Sequence, residues 1–425
     1  MGALYFALSF SGEISQQQQF LPGTTTHGHF QIEMSCESCH TSNFTSSSEI
    51  QAACISCHQD ELQRAKDSHP KAKFGDPRNA DRVSILDARE CVTCHSEHRP
   101  EVTATMGISL PDDYCYHCHQ TISEDRPSHK GMTFDSCDDA GCHNYHDNTA
   151  LYEDYLAKHL DEPNQLASPM VPARNPIKSL SQLDRTEADP PSTEERYTAA
   201  VDQWSRSGHA LTGVNCTGCH QPNSDAQWND AVDFDTCQSC HATQTSGWLK
   251  GKHGMRRAAN LPALTVREAR LPMRKEAAHE ALTCNSCHDA HVADTQAAAV
   301  EACLTCHNDS HSQAYKTSSH FQLWEAQLSG KGAPGTGVSC GTCHLPTLTH
   351  PETQQIYVEH NQNDNLRPNE KMIRTVCSNC HGLGFSINSL ADTELIQSNF
   401  NRAPNTQIPS LELVKARLAR NNKPL

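Results

Sequence analysis

The sequence predicts a mostly irregular fold with short α-helices, little or no sheet, and a core that apolar side chains do not supply alone. Three observations predict it. Of 425 residues only 36% are hydrophobic and 6% aromatic, both low for a globular chain of this size. The chain holds 22 Cys, and they recur in pairs, each pair followed by His. Strand-like alternation is absent, and the Cys pairs interrupt every longer run.

Ten of the pairs are Cys-x-x-Cys-His runs: Cys36, Cys39 and His40; Cys54, Cys57 and His58; Cys91, Cys94 and His95; Cys115, Cys118 and His119; Cys216, Cys219 and His220; Cys237, Cys240 and His241; Cys284, Cys287 and His288; Cys303, Cys306 and His307; Cys340, Cys343 and His344; Cys377, Cys380 and His381. A longer run joins Cys137, Cys142 and His143, where Gly141 lets the loop bend. Cys-x-x-Cys-His is the attachment site of a c-type haem. Its thiols form thioethers to the haem vinyl groups, and its His takes one axial position on the iron. Zinc also suits paired Cys-x-x-Cys, but zinc does not ask for His after every second Cys. Eleven sites consume all 22 thiols and leave none for a disulfide.

The expected cofactor is therefore haem c, eleven per chain and covalently bound, with the haems forming the core. One haem per about 39 residues leaves too little protein to isolate each porphyrin. The haems are expected to pack against one another as an electron conduit. The short spacings Cys36 to Cys54 and Cys284 to Cys303 mark expected stacked pairs.

Eleven irons need eleven second ligands if all are bis-histidine. Fifteen His outside the motifs flank the two groups, and His117 lies inside a motif loop. The flanking set includes His27, His159, His311 and His350. The candidates taken as distal ligands are His29, His69, His98, His129, His146, His209, His253, His279, His291, His320 and His360. His98, His146 and His291 each follow a motif His by three residues, too close to reach the opposite face of the same iron. Each is expected to serve a neighbouring haem. His69, His129, His209, His279 and His320 follow a small residue upstream of a motif. Met is scarce at 8, so His/Met ligation is a minority option. No catalytic residue is assigned, because closed bis-histidine irons suit electron transfer.

Motif spacing divides the chain. Residues 1–26 form an N-terminal segment whose apolar start, Met1–Phe10, reads as a signal remnant. Residues 27–160 form a five-haem domain, and 161–205 a linker with Pro163, Pro169, Pro172, Pro176, Pro190 and Pro191. Residues 206–390 form a six-haem domain, and 391–425 a tail with an amphipathic helix over 411–418. Other helices are expected over 48–66, 148–160, 295–307 and 312–329.

Net charge is −16, and ionised haem propionates would take it to about −27. This argues against nucleic-acid binding and for cationic patches on partners, or it is simply an acidic surface. Haem attachment of this type takes place outside the cytoplasm, so a periplasmic or extracellular location is expected. Expected partners are other redox proteins (cytochromes, a quinol dehydrogenase, a terminal reductase) or an extracellular acceptor. A homo-oligomer or filament stays open.

The first half, with Cys36, Cys54, Cys91, Cys115 and the long Cys137 run, resembles pentahaem and decahaem electron carriers and the cytochrome c3 group. The second half resembles the octahaem hydroxylamine-oxidoreductase group in motif order: Cys284 to His291, Cys303 to His307, Ser319-His320 with Trp324, Cys340 to His344, then Cys377-Ser-Asn-Cys-His. These resemblances imply electron transport by an undecahaem cytochrome. They leave a nitrite-reductase-like or hydroxylamine-oxidoreductase-like enzyme with one open iron, or a filament subunit, as alternatives. Pentahaem nitrite reductases replace one proximal His by Lys, and no run here does. Tyr357 finds no match to the cross-linked Tyr of hydroxylamine oxidoreductases.

Overall fold

The computed structural model describes residues 21–42, 45–65, 69, 74–104, 107–111, 113–126, 129–130, 145–147, 153–169, 171–172, 181–192, 195–221, 227–350, 352–366 and 368–421. The apolar start and the Cys137–His143 run lie outside them.

Among the described residues the fold is short helices joined by irregular chain, with one small hairpin, as the composition predicts. The longest helix among the described residues, α1 (Ser47–Ala65), carries the Cys54 motif at its centre. The expected helix over 148–160 is described as α2 (Glu153–Lys158). The expected helix over 295–307 is two, α3 (Thr295–Ala299) and α4 (Glu301–Cys306). Val300 breaks them at φ −139°, leaving helical geometry to bury its β-branched side chain to 1% exposure. Residues 312–329 also split, and the longer piece is α5 (Ser319–Leu328). β1 (Thr347–Thr349) pairs antiparallel with β2 (Ile356–Val358), with Leu348 opposite Tyr357.

An apolar core sits at the C-terminal end, with Cys343 and Cys377 packed against it. α6 (Met372–Thr375), α7 (Leu383–Ala391) and the tail helix α8 (Ser410–Asn421) pack there with α2. Leu156, Ile373, Leu383, Ile387 and Val414 are buried together. The tail thus docks on the body.

The start of the Pro-rich stretch is a strap on this region. Leu166 N–H donates to Cys380 O at 2.8 Å, and His381 Nδ1–H donates to Asn164 O at 3.0 Å. Gly382 has no Cβ to collide with the Pro163 carbonyl beside it. Among the described residues no helix is long and apolar enough to cross a membrane.

Candidate haem ligation sites

Each described motif closes into one helical turn. The His N–H donates to the carbonyl of the first Cys, at 2.7 Å for His40, 2.9 Å for His95 and 2.8 Å for His381. Residues i and i+3 then share a face, so both thiols present to one side. A porphyrin edge needs that arrangement.

Nine motif imidazoles each face one imidazole from elsewhere in the chain. Ring centres are 5.9 Å apart for His58 and His29, 6.1 Å for His119 and His69, and 6.2 Å for His95 and His146. In the second half they are 6.0 Å for His220 and His291, 6.1 Å for His241 and His209, and 6.3 Å for His288 and His360. The remaining separations are 6.3 Å for His307 and His253, 6.0 Å for His344 and His311, and 6.3 Å for His381 and His320. A metal–imidazole bond of about 2 Å plus ~1 Å to each ring centre places two trans imidazoles about 6 Å apart. Interplanar angles run from 12° to 85°. Rotation about a metal axis allows that range, whereas ring stacking would narrow it. The tenth described motif ring, His40, has its pKa lowered by desolvation and by the neighbouring charge of His98.

The other ring nitrogen is anchored at most of these rings. Nδ1 of His69, His95 and His98 donates to the carbonyls of Tyr145 (2.8 Å), Gly107 (3.0 Å) and Gly23 (2.9 Å). His220 donates to Asn229 O at 2.7 Å, and His360 to Val358 O at 2.9 Å. His29 Nδ1 bonds the Glu97 carboxylate at 2.7 Å. Burial alone would raise the Glu97 carboxyl, but the bonds from His29 and Thr26 outweigh it and hold it at about 2. A proton on Nδ1 leaves the lone pair on Nε2 for a metal, and such outer partners orient a ligating His. Gln362 lies 3.3 Å from His253 Nδ1, and its Oε1 lacks a partner. Turning this amide end for end lets its Oε1 accept from His253 Nδ1–H. Desolvation holds His253, His320 and His344 at about 4, the neutral form a ligand requires.

His350 has the opposite tautomer. Its Nδ1 accepts from Glu352 and Thr353 N–H at 3.3 Å each, so its proton sits on Nε2. His279 is exposed, and among the described residues no motif ring stands across from it. Spacing had favoured His279, yet it is His311 that faces His344. The missed signal is a cap. Ser207, Asp309 and Ser318 are N-caps whose side chains accept from the N–H three residues on. Each cap puts His209, His311 or His320 at the second helical position. Ala277 stands at the corresponding place before His279 and cannot cap. His159 bonds Glu162 through Nδ1 at 2.5 Å. His129 is described, but the His143 ring that either could face is not.

Most consecutive described motifs are neighbours in space. The Cys54 thiol is within hydrogen-bonding reach of Cys91, as Cys237 is of Cys284, and Cys303 of Cys340. Cys39 feels the charge of Cys57, Cys219 that of Cys237, Cys287 that of Cys303, and Cys343 that of Cys377.

A fold of short helices around paired-thiol turns and facing imidazoles defines a cytochrome of the multihaem c type. Residues 28–120, which span the first four motifs, match the family model for cytochrome c3. The protein is accordingly a multihaem c-type cytochrome of electron transport, with covalently bound haem. No curated protein and no solved structure matches the chain.

Proposed function

We propose that this protein carries electrons along eleven covalently bound haems, outside the cytoplasm, between a redox partner and a further acceptor. The observation that carries the reading is the set of nine motif imidazoles, each faced by a second imidazole at 5.9–6.3 Å. Bound there, haem supplies one-electron chemistry at an iron closed on both faces. The chain's own part is to hold both imidazoles, fix their tautomers through Nδ1, and set potentials by burial and nearby charge. The eleventh site, at Cys137 and Cys142, draws its second ligand from His129 or His159.

The enzyme alternative needs an open iron. Tyr357 lines a cavity of about 320 Å³ with His241 and His350, but His241 already faces His209. We therefore read Tyr357 as structural, and the octahaem-like motif order of the second half as part of a conduit.

Two measurements test the proposal. A pyridine haemochrome assay is expected to return eleven haems per chain, and EPR of the oxidised protein only low-spin signals. A count far below eleven would sink the haem assignment. A high-spin signal of one full haem would favour the enzyme.

A further inference from the structure

We propose that the two haem groups exchange electrons across the face where the first motifs dock on the second half. The Cys54 haem is thereby the neighbour of the Cys303 haem, and the array branches. This deepens the electron-transfer reading and rests on it.

The docking face is built from named contacts on both sides of one site. Lys252 Nζ donates to His27 O at 3.2 Å and also to Gly28 O. Gly28 is bonded to His29, which faces His58. Lys252 is bonded to His253, which faces His307. One lysine thus ties together the backbone beside an axial imidazole of the Cys54 site and of the Cys303 site. On the other side, α1 continues past His58 into three ion pairs with the second half. Asp60 meets Lys250 at 3.0 Å, Glu61 meets Lys371 at 2.5 Å, and Arg64 grips both Asp364 oxygens at 2.8 and 3.0 Å. Ser35 Oγ adds a bond to Ala259 O at 3.1 Å. Exposed pairs singly contribute little stability. Several on one face, with the Arg64 fork, fix the orientation of one half on the other.

The place of contact gives the topology. Thiol neighbours order the second half from Cys216 to Cys380 in chain order. The Cys303 site is inside that series, so a junction there opens two arms, one toward Cys216 and one toward Cys377. Joining the groups end to end, through Cys137 and Cys216, would give a single line. The Cys54 site is likewise inside its own group, between Cys36 and Cys91, so the branched array has four ends, two in each group. A donor and an acceptor at any two are connected, and the remaining arms store charge.

A double-variant cycle of midpoint potentials in the intact holoprotein tests this. His29→Met and His253→Met each give one haem His/Met ligation, which raises its potential out of the bis-histidine set. Neighbouring haems repel each other's added electron. The two high-potential waves of the double variant are therefore expected to shift from their positions in the single variants. Additive midpoints would overturn the branch, provided that His29→Met and His146→Met, at the adjoining Cys54 and Cys91 sites, still interact. Where a Met variant loses its haem, the cycle is run with Glu97→Gln and Asp309→Asn. These act on the same two haems through Nδ1 of His29 and His307 and remove no ligand. Haem count and spin state of the wild type report separately on the electron-transfer reading, so the two ideas fail independently.

Discussion

His98 shows how much one backbone position asks of its surroundings. It sits at φ +61°, a left-handed geometry that costs a non-glycine residue about 1–3 kcal/mol. Its ring is steadied by the 2.9 Å bond from Nδ1–H to Gly23 O. A Cβ on residue 23 would overlap the His98 carbonyl, so only glycine lets the two segments meet. Gly23→Ala is expected to push His98 away from His40. EPR of the oxidised variant should then gain a high-spin signal amounting to one haem, and an unchanged spectrum would count against His98 as that ligand. The paired-thiol turns were legible in the sequence because their spacing closes one helical turn. The Nδ1 partners were not. Glu97 lies 68 residues from His29, and nothing local announces the pair.

At the scale of elements, capped short helices do the positioning. An N-cap side chain satisfies one free N–H and fixes where the first turn begins. With Ser318 as cap, His320 is held two residues on, at the start of α5. Ser318→Ala is expected to cost about 1 kcal/mol and to leave the His320–His381 site partly high-spin, read by EPR and thermal melting. A wild-type spin state would show that packing alone suffices. This cap was legible in principle. Asp309-Ser-His311 carries it and Ala277-Ala-His279 does not, and attention to the small preceding residue alone obscured the difference. Helix existence was readable from periodicity, while the break at Val300 was not, because burial of one side chain decides it. The core joining α2, α6, α7 and α8 depends on contacts across more than 200 residues, which no local pattern reveals. Ile373, 1% exposed, lies within it. Ile373→Ala should destabilise this end by about 2–5 kcal/mol, seen as a lower midpoint in thermal denaturation. A midpoint within a degree of wild type would place Ile373 outside the effective core.

At the scale of the whole molecule, facing imidazoles are exchanged between motifs. His291 follows the Cys284 motif but faces His220, and His146 faces His95. A His three residues after a motif was expected to serve another site, and these two rings lie opposite the ring of another motif. Such exchange makes each site depend on its neighbours, with little apolar core to fall back on outside the C-terminal cluster. The chain produced without haem is therefore expected to be largely unfolded, with limited proteolysis sparing only the segments around residues 153–166 and 363–421. Broad protection of residues 30–120 without haem would contradict that dependence. The crossing between the halves was not legible, since Arg64 and Asp364 are separated by 300 residues.

The strap at residues 162–166 also sets an order in time. Asn164 must wait for His381, 217 residues downstream. At typical synthesis rates, that is a delay of roughly 10–40 s. Any contact the earlier residues make in that interval is made while the strap hangs open. Its closure over Cys380 and His381 is the step that registers the arrival of the last site.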